Sequence, residues 1–255
     1  MTELRMWVRR WSGRLPRHIG HIVDVHVMDS PDQANRRQRV VSVVHLLGTG
    51  LLGASLSTTP GSGRFYALTF STAVTWVAGS LLSGPLHLGW IENRARQLNR
   101  PVAVPVATGV GAFGVFCLGS LIVRRIPVLD RAVSGALAFA ERGRGPWVLL
   151  TTCANGIGEE VFFRGAMYAA LPGPNPVLSS TAVYTLTTAA TRNPALVLAA
   201  SVMGTLFGYQ RRATQGLQAP LLTHLTWSTL MVTLLPRIFS RTPAQSRTAR
   251  SRTGP

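Results

Sequence analysis

The sequence predicts an all-α integral membrane protein, a bundle of about seven to eight transmembrane helices. Of its 255 residues 46% are hydrophobic, and they concentrate in long runs between strongly basic ends. The 26 basic residues far outnumber the 9 acidic ones, whereas the surface of a soluble domain usually mixes both signs. Basic ends that flank apolar runs are typical of arginines facing anionic lipid. The runs lack the two-residue alternation of a membrane β-barrel, which leaves helices as the spanning elements.

Seven apolar runs are candidates for helices that cross the bilayer, which takes roughly 20 mostly apolar residues. They cover residues 40–56, 65–82, 102–123, 147–171, 178–190, 194–209 and 217–235. An eighth segment, 128–141, is amphipathic, and it is predicted either to lie at the interface or to form a short span. Asn193 followed by Pro194 is predicted to cap the helix that begins there.

The chain is predicted to have three parts. Residues 1–39 form a basic N-terminal arm, residues 40–236 a polytopic membrane domain, and residues 237–255 a basic disordered C-terminal tail. The arm lacks the continuous apolar region of a cleavable signal peptide, so the first apolar run is expected to target the chain to the membrane. Arginines at both ends predict a multi-pass protein of the cell membrane with both termini in the cytoplasm. Two cytoplasmic termini require an even number of spans, which favours eight.

Two adjacent carboxylates stand inside the fourth apolar run. Ionisable groups cost about 2.5–3.5 kcal/mol each near the centre of a bilayer, yet Glu159, Glu160 and Arg164 occur within six residues. Glu160 and Arg164 are four residues apart, share a helix face and are expected to form an ion pair. Glu159 lies about 100° away and is left without a partner in its own segment. A lone carboxylate in a partly desolvated cavity suits a general base. The plainer alternative is that both glutamates lie at the water interface.

A second polar site lies in the last apolar run. His224 and Ser228 are four residues apart and therefore face the same way on a helix. A neutral imidazole within a span can ligate a metal, hydrogen-bond a reacting oxygen or hold neighbouring helices together. Taken alone, the structural role is the more common one. Beside the helix that carries Glu159 and Glu160, His224 becomes their natural partner.

The spacing Glu159-Glu160-x-x-x-Arg164, followed about 60 residues later by His224-x-x-x-Ser228, resembles the CPBP family of intramembrane proteases. That family groups CAAX prenyl endopeptidases with bacterial bacteriocin-processing and self-immunity proteins. The resemblance covers roughly residues 145–236. It implies an eight-helix bundle whose active site lies in a cavity within the membrane, where a glutamate activates water for peptide hydrolysis.

Two positions depart from the family pattern. The family has an aromatic-x-x-x-His motif on the helix after the glutamates, and the equivalent residues here are Tyr184 and Thr188, so a threonine stands where histidine is expected. The last motif of the family usually ends in asparagine or a similar polar residue, which here is Ser228. Loss of the histidine removes a metal ligand or a water-orienting group, and a hydroxyl is a weak ligand for zinc.

The residues and the resemblance together predict a glutamate-dependent intramembrane endopeptidase of the CPBP, CAAX protease-like type. Its substrate would be a membrane-associated peptide or protein. Glu159 is expected to deprotonate water, Arg164 to orient Glu160, and His224 to stabilise the oxyanion with help from Ser228. The expected cofactor is a divalent metal such as zinc, held by Glu159 and His224.

Two other functions stay open. Thr188 in place of histidine favours a catalytically inactive family member that acts as a membrane binding or immunity scaffold. The glutamate pair could instead serve a small ion-coupled transporter, although the sequence has no evident internal repeat. The expected partners are the lipid bilayer and the membrane-associated substrate. Nucleic acid is not expected, because the basic ends contain no known nucleic-acid-binding motif.

Overall fold

The computed structural model describes residues 21–23, 29–93, 95–143, 145–171 and 173–239. The helices of this part are α1 Pro31–Leu56, α2 Gly63–Ser83, α3 Ala103–Val123, α4 Pro127–Glu141, α5 Gly145–Glu159, α6 Pro176–Thr188, α7 Pro194–Thr214 and α8 Gln218–Phe239. α5 continues into a π-helical segment, Glu160–Met167, and a last α-helical turn, Tyr168–Ala170, while α6 ends in a 3₁₀ turn, Ala189–Thr191. The prediction of an all-α membrane protein is confirmed. Most of the predicted arm and tail lies outside the described residues.

α1 begins before the first apolar run. Ser30 and Gln33 form a capping box in which each side chain bonds the other residue's backbone N–H, and this box fixes the start of the helix at Pro31. Arg37 is buried, and its guanidinium donates to both oxygens of Asp29, at 2.5 and 3.0 Å. The predicted boundary between arm and membrane domain, at residues 39 and 40, therefore falls inside a packed helix.

Small residues allow α1 and α2 to approach closely. A Cβ atom on Gly48 of α1 would lie 2.0 Å from Nε1 of Trp76 in α2, and a Cβ atom on Gly79 of α2 would lie 2.3 Å from a methyl group of Val44 in α1. Glycines at such contacts are typical of helices that pack within a membrane. The indole of Trp76 then stacks on the ring of Phe162, with 6.1 Å between centroids, and so joins this helix pair to the π segment.

α1, α2 and α8 share one end of the bundle. Arg36, in the second turn of α1, donates to the carbonyl of Leu82 near the end of α2. The backbone N–H of Gln218, the first residue of α8, donates to the carbonyl of Leu88, five residues after α2 ends. α1 and α8 therefore both start at the end of the bundle where α2 finishes.

α4 lies across the opposite end. Leu129 near its start lines one apolar cavity with Val123 at the end of α3 and Leu235 near the end of α8. Phe139 near its end contacts Phe65 in the first turn of α2, with 4.8 Å between ring centroids. Since α4 begins and ends on one side of the bundle, its contacts favour the interfacial alternative over a short span.

Among the described residues, seven helices thus run from one end of the bundle to the other, and α4 does not. An odd number places the start of α1 and the end of α8 at opposite ends. This arrangement favours seven spans over eight, while the expectation of two cytoplasmic termini stays a prediction. The expectation of two cytoplasmic termini was based on arginines near the two ends of the sequence. In the structure, arginines lie at both ends of the bundle: Arg36 and Arg211 at one end, Arg124 and Arg142 at the other.

A two-stranded hairpin closes the loop between α2 and α3. β1 (Ile91–Glu92) pairs antiparallel with β2 (Leu98–Asn99). Just before β1, the backbone N–H of Trp90 donates to the carbonyl of Thr214, the last residue of α7, at 2.8 Å. The hairpin therefore fixes the turn from which α8 starts.

By length and composition, three of the described helices could cross a membrane, namely α1, α2 and α3. Large apolar side chains are exposed on the outside of the bundle on several helices, including Leu46 of α1, Leu118 of α3 and Leu186 of α6, each more than 65% accessible. In water such a surface would favour aggregation, whereas in a bilayer it contacts hydrocarbon. These features support a membrane protein.

Candidate active site

The site lies where the helix that begins as α5 changes its winding. The π-helical segment starts at Glu160, and π-helical turns are frequent at functional sites. Side chains of two neighbouring helices bond its backbone. The Ser180 hydroxyl of α6 donates to the Phe163 carbonyl at 3.1 Å, and Arg211 Nε of α7 donates to the Arg164 carbonyl at 2.8 Å. The altered winding is therefore held by tertiary contacts.

Glu160 and Arg164 form the ion pair expected from their spacing. Both side chains are fully buried, and Glu160 Oε1 lies 3.5 Å from Arg164 Nη1. The same carboxylate oxygen accepts a shorter hydrogen bond from His224 Nδ1, at 2.9 Å. Arg164 Nη2 also donates to the carbonyl of Gly204, at 3.1 Å. Oε1 of the buried carboxylate thus contacts both a guanidinium and an imidazole, and a buried charge needs such partners.

Glu159 is held by neutral donors instead of a cation. Asn155 Nδ2, one turn earlier on α5, donates to Glu159 Oε1 at 2.6 Å, and the Tyr184 hydroxyl of α6 donates to Glu159 Oε2 at 2.6 Å. The expectation that Glu159 has no partner in its own segment is therefore wrong, because Asn155 supplies one. Each carboxylate oxygen has two lone pairs, so one acceptor position on each oxygen is still available.

His224 connects the two glutamates. Its Nδ1 donates to Glu160, so Nε2 is the nitrogen that it presents to Glu159, whose Oε2 lies 3.9 Å away. That distance is too long for a direct hydrogen bond and is in the range where one water can contact both atoms. The imidazole stacks on Phe207 of α7, with 4.9 Å between centroids and 17° between planes. The ring orientation is thus fixed by Phe207 and Glu160 together.

A cavity of about 300 Å³ opens beside these groups. Its wall is mostly apolar and comes from α1, α2, α4, α5, α6, α7 and α8. The polar residues that line it are Ser55, Thr69, Thr151, Thr152, Asn155, Glu159, Tyr184, Thr188, Thr191, Asn193, His224 and Ser228. A concave, largely apolar pocket with a few convergent polar groups is the usual form of a substrate site. Glu160 and Arg164 lie behind this wall and do not line the cavity.

The two residues that depart from the family pattern also line the cavity. Thr188 donates its hydroxyl proton to the carbonyl of Tyr184, one turn back on α6, at 2.9 Å. Ser228 donates to the carbonyl of Leu225 at 3.4 Å. Both hydroxyl protons are therefore bound by backbone carbonyls of their own helices, a common arrangement for Ser and Thr within helices.

Three participants were not predicted. The Tyr184 hydroxyl bonds Glu159, Phe207 supports His224, and Gly204 receives the Arg164 guanidinium. Tyr184 was recognised only as the aromatic position of a motif, and its hydroxyl was the signal available in the sequence. Phe207 and Gly204 are ordinary residues of an apolar helix, so no local signal marks them.

The donor set only partly fits a metal ion. Glu159 and Nε2 of His224 face the cavity, whereas catalytic zinc sites use three protein ligands, mostly histidine, carboxylate or cysteine. Among the described residues, no group of three or more His, Cys, Asp or Glu side chains is placed to hold a metal ion. Thr188 occupies the position where a third ligand would be expected, and its hydroxyl is a weak one. Metal binding by Glu159 and His224 therefore stays a prediction.

The fold and the site together define a class of protein, a helical membrane bundle with a buried glutamate and histidine site beside an internal cavity. Residues 143–230 match the model of a family described as type II CAAX prenyl endopeptidase Rce1-like. This match supports membership of the CPBP family and confirms the resemblance seen in the sequence. It covers a third of the chain, from the start of α5 to the middle of α8. No curated protein and no solved structure matches the chain.

Proposed function

We propose that this protein is an intramembrane glutamate-dependent endopeptidase of the CPBP type that hydrolyses a membrane-associated peptide or protein. The observation that carries the proposal is the arrangement of Glu159 and His224, which face one cavity inside the bundle while Glu160 and Arg164 support them from behind. The match of residues 143–230 to an endopeptidase family supports the same reaction.

Glu159 is the proposed general base. It lines the cavity, and its carboxylate keeps a free acceptor position on each oxygen. In the first step a water gives its proton to Glu159 while the water oxygen bonds to the carbonyl carbon of the substrate. When the C–N bond breaks, the proton passes from Glu159 to the leaving amine nitrogen. The carboxylate is thereby regenerated, and no group outside the chain and the water is needed for the balance.

His224 is the proposed donor to the oxyanion. Its Nε2 lies 3.9 Å from Glu159 Oε2, close enough to contact the same reacting group. To donate from Nε2 while Nδ1 donates to Glu160, the ring must carry a proton on both nitrogens. Glu160 then stabilises the charged ring through Nδ1, as a buried carboxylate does for a catalytic histidine. A fixed N–H in a cavity of low dielectric is an effective stabiliser of developing negative charge.

The experiment uses the purified protein in liposomes with a library of membrane-spanning and membrane-anchored peptides, and mass spectrometry identifies new termini. Glu159→Gln keeps the size of the side chain and removes the base, so we expect the cleavage rate to fall at least about 100-fold. Glu141→Gln makes the same change at an exposed glutamate at the end of α4 and should leave the rate unchanged. Retained hydrolysis in Glu159→Gln would contradict the proposal.

A divalent metal is not assigned a step. If zinc binds, Glu159 and Nε2 of His224 are the residues that would hold it, and it would polarise the carbonyl or activate the water. The two residues alone fall short of the usual ligand number. The water-activation chemistry proposed above therefore uses the side chains of the chain itself.

A second candidate is a non-catalytic binding protein of the same membrane fold. The observation that favours it is Thr188, whose hydroxyl proton is bound to the carbonyl of Tyr184 and not aimed at the cavity. Such a protein would bind a membrane-associated peptide in the cavity and release it intact. Binding of a peptide from the library without any new terminus in wild type would favour this candidate over the peptidase.

We further propose that the bundle lies in the cell membrane with the arginine-rich start of α1 in the cytoplasm. Arg36 and Arg39 at that end suit contact with anionic lipid. The directions of the helices then support an end of α8 on the other side.

A further inference from the structure

We infer that the hydroxyl of Tyr184 replaces the histidine that the family pattern places at position 188, and that it positions Glu159 for water activation. This inference rests on the proposed peptidase function. It starts from one contact, the 2.6 Å hydrogen bond from the Tyr184 hydroxyl to Glu159 Oε2. Phenylalanine would satisfy the aromatic position of the motif, so the hydroxyl is an addition that the motif does not require.

Thr188 does not perform this role. It lies one turn after Tyr184 on α6 and faces the same cavity, but its proton is bound to the carbonyl of Tyr184. The hydroxyl therefore has no proton for Glu159 or for a water beside it. An imidazole at this position would reach further into the cavity and would carry a ring N–H. The α6 side chain that donates to Glu159 is Tyr184, one turn before Thr188.

The phenol of Tyr184 is held by an aromatic ring and a guanidinium. Its ring contacts Phe163 with 4.9 Å between centroids, and the Arg164 guanidinium lies over it at 4.5 Å, a cation–π distance. Gly204 makes room for this stack, because a Cβ atom there would lie 3.1 Å from Tyr184 Cδ1 and 3.2 Å from Arg164 Nη2. The position of the hydroxyl is therefore fixed by packing before a substrate arrives.

Two donors then fix the plane of the Glu159 carboxylate. Asn155 bonds Oε1 from the same helix, and Tyr184 bonds Oε2 from α6, each at 2.6 Å. A carboxylate with both oxygens bound from two helices cannot swing away from His224 Nε2. Orientation of a reacting group to within a fraction of an ångström is worth up to about 100-fold in rate, so loss of one of these bonds should be measurable. Tyr184 is a positioning residue in this scheme.

The test compares four variants on the library peptide that wild type cleaves fastest. Tyr184→Phe removes only the oxygen and keeps the ring against Phe163 and Arg164. Thr188→His in the Tyr184→Phe background recreates the family pattern, and Thr188→His alone shows the effect of the imidazole beside an intact Tyr184. Tyr209→Phe is the matched control, since it removes a hydroxyl from a partly exposed tyrosine of α7. Rates are expressed per folded protein, measured by size-exclusion chromatography.

We expect Tyr184→Phe to lower kcat about 10- to 100-fold with little change in KM, because substrate binding is untouched while the base is misaligned. The double variant should recover at least about tenfold of that loss. Tyr209→Phe should match wild type. Recovery by a histidine one turn away is not expected if Tyr184 only stabilises the fold.

Each other outcome overturns the inference in a recognisable way. A Tyr184→Phe rate within about twofold of wild type would show that the hydroxyl does not position Glu159. A loss in Tyr184→Phe that Thr188→His does not repair would overturn the replacement of histidine by tyrosine. Absence of any cleavage by wild type would instead overturn the proposed peptidase function, and this inference with it.

Discussion

The two halves of the bundle hold their helices together by different means. In α1 and α2, the helices approach through glycines that contact large apolar side chains, as where Gly48 meets Trp76, and the polar contact of Arg36 with the Leu82 carbonyl lies at the end of the bundle. In the half built from α5 to α8, hydrogen bonds between polar side chains join the helices in the interior, such as Glu160 to His224 and Tyr184 to Glu159. The first half is packed like ordinary membrane helices, whereas the second half also contains a buried polar site.

The two halves also differ in the length and hydropathy of their helices. The three helices that meet the length and composition of a span are α1, α2 and α3, and all lie outside the family match at residues 143–230. The helices inside it are shortened by changes of winding or carry polar side chains that face inward. A polar residue that faces a cavity lowers the hydropathy of its helix without exposing any polarity to lipid. Weak hydropathy in a helical membrane chain can therefore mark the functional part.

The largest effect on stability is expected from Arg164→Met. The fully buried Glu160 would lose its cation, and the Gly204 carbonyl would lose its donor. Removing one partner of a buried pair typically costs about 3–5 kcal/mol. We expect the free energy of unfolding, measured by steric trapping in bicelles, to fall by that amount.

The matched control for this change is Arg131→Met. Arg131 is exposed on α4, and its Nε donates to the Pro127 carbonyl within the same helix. Surface substitutions of this kind change stability by about 0.5 kcal/mol or less. Equal effects of the two substitutions would mean that the second half does not depend on its buried charges, and the contrast between the halves would be lost.

A smaller effect is expected where the first half packs most tightly. Gly48→Ala would place a Cβ atom 2.0 Å from Trp76 Nε1, so one helix has to move. Overpacking typically costs about 1–3 kcal/mol. The same steric-trapping measurement should show this loss in Gly48→Ala. The cleavage rate per folded molecule should stay within about twofold of wild type, because Gly48 does not line the site.

Gly50→Ala is the control in the same helix. A Cβ atom on Gly50 meets no atom within 4 Å, and alanine favours a helix over glycine by about 1 kcal/mol. Gly50→Ala is therefore expected to be neutral or stabilising. Similar losses in the two variants would indicate that α1 tolerates no added methyl group anywhere, and close packing against Trp76 would not be the cause.

The sequence predicted the fold to the level of helices but not their arrangement. The long apolar runs correspond to α1, α2 and α3, and Asn193 caps α7 as predicted, accepting from the N–H groups of Ala195 and Leu196. The start of α1 was missed because a basic, polar first turn does not resemble a membrane helix. The number of spans stayed at seven or eight because segment 128–141 could be counted as a span or as an interfacial helix, and only its contacts distinguish the two.

The site was predictable where chemistry is carried by residues close in sequence. The four-residue spacing of Glu160 and Arg164 placed them together, and the cost of burying charge pointed to His224 as a partner. The bond between Tyr184 and Glu159 could not be predicted in this way, because it depends on how α6 crosses α5. The π-helical winding was equally hidden, since contacts from other helices hold it.

The smallest effect on activity is expected from Ser228→Ala, the change that tests the weakest member of the predicted site. The Ser228 hydroxyl borders the cavity but donates to the Leu225 carbonyl at 3.4 Å, so it holds no proton for an oxyanion. We expect kcat on the library peptide to fall less than about fivefold, or about 1 kcal/mol. His224→Ala, which removes the proposed oxyanion donor one turn earlier on α8, should lower it about 100- to 1,000-fold. A loss of that size in Ser228→Ala would mean that the serine rotates toward the substrate and donates beside His224, and the polar half of the bundle would then contribute two donors to the oxyanion.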